Sequence, residues 1–173
     1  MKRSQIFPMP EYFDRYINLV DDVELLEALQ TSIDEIDSFP LQQWKEIGDK
    51  VYEPGKWTIK DIIQHIIDTE RIFTYRSLVF ARGEKSILPS FSEDDYALQA
   101  NASKRSLESL INELRLTHQS TKSMFESFTE AMLNSIGIGF RGEYSVASIA
   151  FIIPGHQRWH LKVIEDKYLS LIN

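Results

Sequence analysis

Apolar residues recur along this chain at the three- and four-residue spacing of helix faces. Val23, Leu26, Leu29, Ile33 and Ile36 mark a first long helix, expected from Asp21 to Phe39-Pro40, with Asp21 as cap and Glu24 in the reciprocal position. A second opens at Trp57-Thr58-Ile59-Lys60-Asp61-Ile62, where Thr58 caps, Asp61 reaches back and Trp57 packs on Ile62. It should run to Arg82 and stop at Gly83. Its apolar residues, Ile59 to Phe73, surround most of the circumference, so more than one face needs a cover; for the side around Ile63 and Ile67 a second subunit is one candidate. A third helix is expected from about Ser103, with Leu107, Leu110, Ile111, Leu114, His118, Phe125, Phe128 and Met132 as its core stripe. Ser145 caps the fourth, which runs from Val146 to Tyr168 with a kink expected at Pro154. A strand from Tyr144 to Ile153 is the alternative for its first part.

The remaining segments connect these four. Ile6 to Pro10 is an extended arm set by two prolines, and Glu11 to Leu19 a short helix. Leu41 to Tyr52 is a short irregular piece broken at Gly48. Glu84 to Ala102, with Ser92 capping one short helical turn, is long enough to act as a lid. Gly137-Ile138-Gly139-Phe140-Arg141-Gly142 fits G-x-G-x-x-G, but a helical pattern precedes it where a dinucleotide site needs a strand, so it reads as a flexible interhelical loop. The expectation is an all-α single domain over 1–173, with residues 1–20 as an N-terminal arm and short helix.

Composition narrows the function. At 173 residues, 43% hydrophobic and 12% aromatic, the chain can bury a sizeable core. A net charge of −7 without a basic stripe argues against nucleic acid. No apolar run long enough for a membrane span and no secretory pattern is present, which predicts a cytoplasmic protein without membrane contact. Without cysteine, any metal must be held by nitrogen and oxygen.

Histidine is the exception to the apolar pattern. His156 and His160 are four apart, side by side on one helix face with Ile149, Ile152, Ile153 and Val163. His65 points inward from the second helix, on a stripe with Asp61, Asp68, Thr69, Ile72 and Arg76. His118 lies on the apolar stripe of the third helix, either as a fourth ligand or as a core histidine bonded to a neighbour. Asp61 also reads as a plain cap partner, and Asp68 and Arg76 as members of structural ion pairs. Three inward histidines on two helices suit a divalent metal.

The sequence Glu53-Pro54-Gly55-Lys56-Trp57-Thr58-Ile59-Lys60 leading to His65, then Asp68-Thr69-Glu70-Arg71-Ile72-Phe73 with Tyr75-Arg76, and Gly155-His156 with His160, resembles DinB-like (DinB/YfiT superfamily) proteins over residues 20–170. The resemblance implies a four-helix bundle with one long crossover connection and short extra helices, a homodimer, and a divalent metal on His65, His156 and His160. It also implies metal-dependent transfer chemistry on a small-molecule substrate with a low-molecular-weight thiol such as bacillithiol, mycothiol or glutathione; one related activity is a thiol-dependent isomerisation. Pro154 departs from the small, helix-compatible residue expected before the motif. Three neutral imidazoles suit Zn²⁺, Ni²⁺ or Fe²⁺ and leave positions open for a thiol or water, with Asp68 and Arg76 as candidates for orienting a ligand or binding an anionic group. The alternatives are a metal-dependent hydrolase and a noncatalytic metal-binding dimer with a stress-response or regulatory role. A fourth ligand from His118 or Asp68 would favour the last, because closed sites are structural.

Overall fold

The computed structural model describes residues 1–172. Its short elements are α1 (Asp14–Ile17), α3 (Leu41–Ile47), α5 (Glu93–Ala100) and α7 (Glu130–Leu133), with a hairpin of β1 (Ile136–Gly139) and β2 (Gly142–Ser145). The long ones are α2 (Leu25–Glu35), α4 (Ile59–Ala81), α6 (Leu107–Glu126) and α8 (Val146–Tyr168). In the bundle, α2 and α4 each pack on both α6 and α8, so the cyclic order is α2, α6, α4, α8. The sequence neighbours α2 and α4 are therefore diagonal, and so are α6 and α8; both links must cross an end of the bundle. The fold is all-α apart from the hairpin.

Local sequence sets the helix ends. Thr58 Oγ1 accepts from the Asp61 amide at 3.2 Å while Asp61 Oδ2 accepts from the Thr58 amide at 2.9 Å, the expected reciprocal cap of α4. Gly83, at φ +81°, follows its last turn. Ser106 and Ser145 cap α6 and α8 by accepting from Ser109 and Ser148 amides, each at 3.1 Å.

Four expectations change. The first long helix begins at Leu25 and not at Asp21. The N-terminal arm meets its entrance: the Leu25 amide donates to the Met1 carbonyl at 3.0 Å, and Asp21 turns instead to Arg158 at 3.2 Å. The third helix starts at Leu107 and stops at Glu126, because Thr129 recaps the chain as α7 by accepting from the Met132 amide. The Ser92-capped turn is a helix of eight residues, α5. The glycine-rich stretch is a strand pair, not a flexible loop. Gly139 and Gly142 are partners across a turn in which Arg141 takes φ +68°, and a Cβ on Gly137 would overlap the Phe80 ring.

Pro154 leaves α8 continuous from Val146 to Tyr168. Beside it, a Cβ on Gly155 would collide with the Tyr16 carbonyl, so glycine there lets the N-terminal segment lie against α8. The ground for a subunit interface at Ile63 and Ile67 also falls away: both are 0% exposed, covered by their own chain.

The core divides into two apolar clusters. Leu25 to Leu29, Phe73, Phe80, Phe125 and Val146 to Ile153 belong to one; Ile59 to Ile67, Leu107 to Leu114, Ile164 and Tyr168 to the other. Between them each long helix contributes buried polar residues: Ser32 from α2, His65, Thr69, Glu70 and Arg76 from α4, His118 and Thr121 from α6, His156 and Gln157 from α8. The site lies in this polar layer.

Candidate metal centre

Helix α4 presents His65 and α8 presents His156 and His160 one turn apart. Their imidazoles converge through one kind of nitrogen: His156 Nε2 is 3.2 Å from His65 Nε2 and 3.0 Å from His160 Nε2. Metal–nitrogen bonds of 2.0–2.1 Å place ligand nitrogens about 3.3 Å apart around a tetrahedral ion and about 3.0 Å apart around an octahedral one. The spacing suits either. His65 and His156 are buried and His160 partly so.

Burial disfavours the charged imidazole, and the neighbouring rings add to it. His65 is pushed down to about 3, by burial first and by His160 second, and His160 to about 4 by burial. His156 is lowered well below its ordinary value, by burial and then by His160 and His65. All three are neutral at pH 7, so their lone pairs are available to a cation. In a neutral ring each Nε2 can donate one hydrogen bond or accept one, so His156 Nε2 cannot pair with both neighbours, and buried donor or acceptor atoms without partners are costly. A divalent cation would satisfy all three Nε2 atoms at once, so the residues present fit one.

The surroundings fix the rings. Trp57 lies 4.8 Å from the His65 ring, centroid to centroid, and Tyr16 meets His156 edge-on at 5.2 Å. The Thr69 hydroxyl faces His65 Nδ1 at 3.4 Å, on the side away from the cluster. Burial, with Tyr12 adding to it, pushes the Tyr16 hydroxyl up to about 12, so it stays a proton donor at neutral pH. A cavity of about 270 Å³ opens beside His65 and His156 and follows α4 along Thr69 and Phe73 to Arg76. The N-terminal segment, the tip of the hairpin and the start of α5 close its other sides, so the long connection does cover the site.

The other polar candidates separate. Asp68 faces away from this cavity and takes a hydrogen bond from Gln64 at 2.9 Å, with Arg71 at 3.9 Å; burial raises its pKa. Asp68, expected as a candidate for orienting a ligand, thus does not line this cavity. Arg76 does line the cavity, 2% exposed, and donates from Nη2 to the Pro89 carbonyl at 3.0 Å. It makes no ion pair among the described residues, contrary to the structural-pair alternative. Asp61 is the cap partner only. His118 stays out of the cluster: Nδ1 is 2.5 Å from Glu70 Oε2 and Nε2 is 2.7 Å from Gln157 Oε1.

The sequence reading missed Tyr16, Trp57 and the Glu70 partner of His118. Two signals pointed to them. A glycine immediately before His156 marks a close backbone approach there, and a core-stripe histidine needs a partner of its own.

Known proteins agree with this picture. Residues 22–164 match the DinB superfamily. A protein of Oceanobacillus iheyensis, provisionally named a metal-dependent hydrolase, is 26% identical over 117 residues, 67% of either chain. YfiT from Bacillus subtilis, described as a probable metal-dependent hydrolase with an unusual four-helix bundle topology, superposes with a TM-score of 0.65 at 14% identity over 94% of this chain and 87% of its own. A mycothiol-dependent maleylpyruvate isomerase gives 0.59 at 15% identity, over 87% of this chain and 67% of its own. The diagonal placement of consecutive helices, the buried histidines and the match across most of the sequence lead to one assignment: the chain belongs to the DinB superfamily.

Proposed function

We propose that the chain is a metal-dependent enzyme: His65, His156 and His160 hold one divalent cation, Zn²⁺, Ni²⁺ or Fe²⁺, beside a cavity that admits a small nucleophile, a low-molecular-weight thiol or water. The observation that carries this is a ligand set that stops at three. Among the described residues no carboxylate or fourth histidine joins the cluster, while the cavity lies directly against two of its rings. Structural sites of this kind are closed by a fourth protein ligand; catalytic ones keep a position open. When bound, the cation supplies Lewis acidity that lowers the pKa of a coordinated thiol or water.

The chain's own residues do the rest. Three neutral imidazoles add no negative charge, so the cation's charge stays available to polarise a ligand. Thr69 orients His65, and Gly155 lets Tyr16 close over His156. Tyr16, neutral and bordering the cavity, is placed to give a proton or hydrogen bond to a substrate.

Hydrolysis is the second reading, favoured by what the Oceanobacillus and Bacillus proteins are named for; the isomerase favours a thiol. The test is a screen of the metal-loaded protein for conjugation of glutathione, bacillithiol and mycothiol to electrophiles, with ester and amide hydrolysis in parallel. Turnover above background that disappears in His156→Ala is expected. Turnover of esters alone selects hydrolysis, and no turnover in any assay at one metal ion per chain sinks the proposal in favour of a noncatalytic module.

A further inference from the structure

Arg76 is the one buried formal charge that lines the cavity, and the fold leaves it without a counter-charge among the described residues; Arg141, which also lines the cavity, is exposed. Arg76 is 2% exposed, donates to the Pro89 carbonyl at 3.0 Å, and lies 5.3 Å from the Phe73 ring centroid. Tyr144 beside it supplies no negative charge, since its own burial raises its pKa and keeps it a neutral phenol. Glu93 and Asp94 border the same cavity but are exposed and make no ion pair with Arg76. Burying a cation without an anion costs several kcal/mol, so a fold keeps one only where something offsets it. Elsewhere the protein pairs its half-buried arginines: Arg158 with Glu35 at 2.7 Å, and Arg105 with Glu113 at 2.5 Å.

Arg76 also shares a face with the metal centre. His65, Thr69, Phe73 and Arg76 are spaced four, four and three along α4, and all four border the cavity. Eleven residues of helix separate their outermost Cα atoms by about 16 Å. Between them on α4 the wall is Thr69 and Phe73; Phe13, packed edge-on against Phe73 at 5.4 Å between ring centroids, and Phe140 also line the cavity.

We propose that Arg76 binds the carboxylate of an elongated small-molecule substrate whose apolar middle lies along Phe73 and whose reacting end lies at the histidines. The planar fork of the guanidinium suits two carboxylate oxygens at once. The placement of the reacting end rests on the function proposed above; the binding of a carboxylate by Arg76 does not.

The test is calorimetric, on metal-loaded and on metal-free protein, with phenylbutyrate and its uncharged analogue phenylbutyramide as probes. The wild-type protein should favour the carboxylate by about 10–100-fold, the range for a charged hydrogen bond. Arg76→Met should abolish the preference while leaving metal content at the wild-type level, and Arg76→Lys, which keeps the charge but loses the fork, should retain part of it. Equal binding of the two probes by wild type, or a preference that survives Arg76→Met, overturns the proposal. If Arg76→Met does not fold, full wild-type preference in Arg76→Lys would show that the fork is not used and overturn it as well. Because the preference is read without turnover and also without metal, its failure is distinguishable from failure of the metal-enzyme reading.

Discussion

On α8, His156 and Gln157 are neighbours that serve opposite halves of one polar layer. His156 joins a cluster whose imidazoles are all held neutral. Gln157 joins a network in which every member has a partner: Thr121 and His118 meet Glu70, His118 meets Gln157, Gln157 donates to the Ser32 carbonyl and to Glu35, and Glu35 takes Arg158. Burial lowers the His118 pKa as it lowers the others, but the Glu70 carboxylate and the hydrogen bonds from both sides outweigh it, and the net shift is upward. The difference between His118 and the other three histidines is thus one of partners. A saturated network ties α2, α4, α6 and α8 together; the cluster beside it leaves three neutral Nε2 atoms facing one another.

The largest effect that separates the halves should be metal content. One divalent ion per chain is expected, and His65→Ala, His156→Ala or His160→Ala should each weaken binding by well over the about 10–100-fold typical of residues that only support a ligand. His118→Ala should leave it intact. Elemental analysis after dialysis against trace metal decides, and full retention in the three variants would break the comparison.

Stability should respond in the reverse sense. His118→Ala strands the Glu70 carboxylate in the core, which costs about 3–5 kcal/mol when one partner of a buried pair is removed. His160→Ala in the metal-free protein removes a partly exposed ring with no committed partner and should cost about 1 kcal/mol or less. Urea unfolding of the two variants measures the gap; similar losses would mean that the triad is as structural as the network.

Much of this architecture was legible in the chain, and where it was not the reason is physical. Thr58, Ser145 and Gly83 act within one turn of themselves, so the ends of α4 and the start of α8 followed from local chemistry. His65 was found because a polar residue on an apolar helix needs a purpose. The start of α2 was misplaced because its amides are met by Met1, more than twenty residues away, which no local pattern records. The hairpin was missed for a similar reason: Gly137 and Gly139 are small to fit Phe80 and Tyr144, and those contacts are tertiary. Asp68 and Arg76 shared a stripe in the sequence, yet at about 100° per residue Asp68 lies about 60° to one side of His65 and Arg76 about 20° to the other, which put one outside the cavity and one in it.

Acid should sharpen the contrast as well. In the metal-free protein, His65 and His160 refuse protons until about pH 3 and 4, while the unfolded chain accepts them near pH 6.5. Below pH 6.5 the unfolded state therefore binds more protons, and stability falls as pH drops toward 4, by up to about 1.4 kcal/mol per pH unit for each proton taken up. His118 has the opposite sign. Its raised pKa gives a contribution that is full below pH 6.5 and is lost as pH rises through the folded value. Denaturation midpoints across pH in wild type and His118→Ala test both: the acid-side loss should persist in the variant and the alkaline-side loss should vanish. The same depression predicts that metal is retained to about pH 5, because protons do not compete for these nitrogens where they would for ordinary imidazoles.

The smallest expected effect compares two threonines. Thr69 faces His65 Nδ1 at 3.4 Å, and Thr121 donates to Glu70 Oε1 at 2.6 Å. A metal-bound imidazole is more acidic at its outer N–H, so the contact with Thr69 should tighten on loading and hold the ring with Nε2 toward the cluster. Thr69→Ala should then lower metal affinity about 10-fold, the low end of the range for such partners, with little change in metal-free stability. Thr121→Ala should do the reverse, leaving affinity unchanged and costing about 1.5–3 kcal/mol as a lost hydrogen bond to a buried carboxylate. Competitive metal titration with a chromogenic chelator, alongside urea unfolding, reads both quantities on the same samples. If Thr121→Ala alters affinity as much as Thr69→Ala does, the two halves of the layer are coupled through Gln157 and His156, and the division between a structural network and a metal-binding cluster would have to be abandoned.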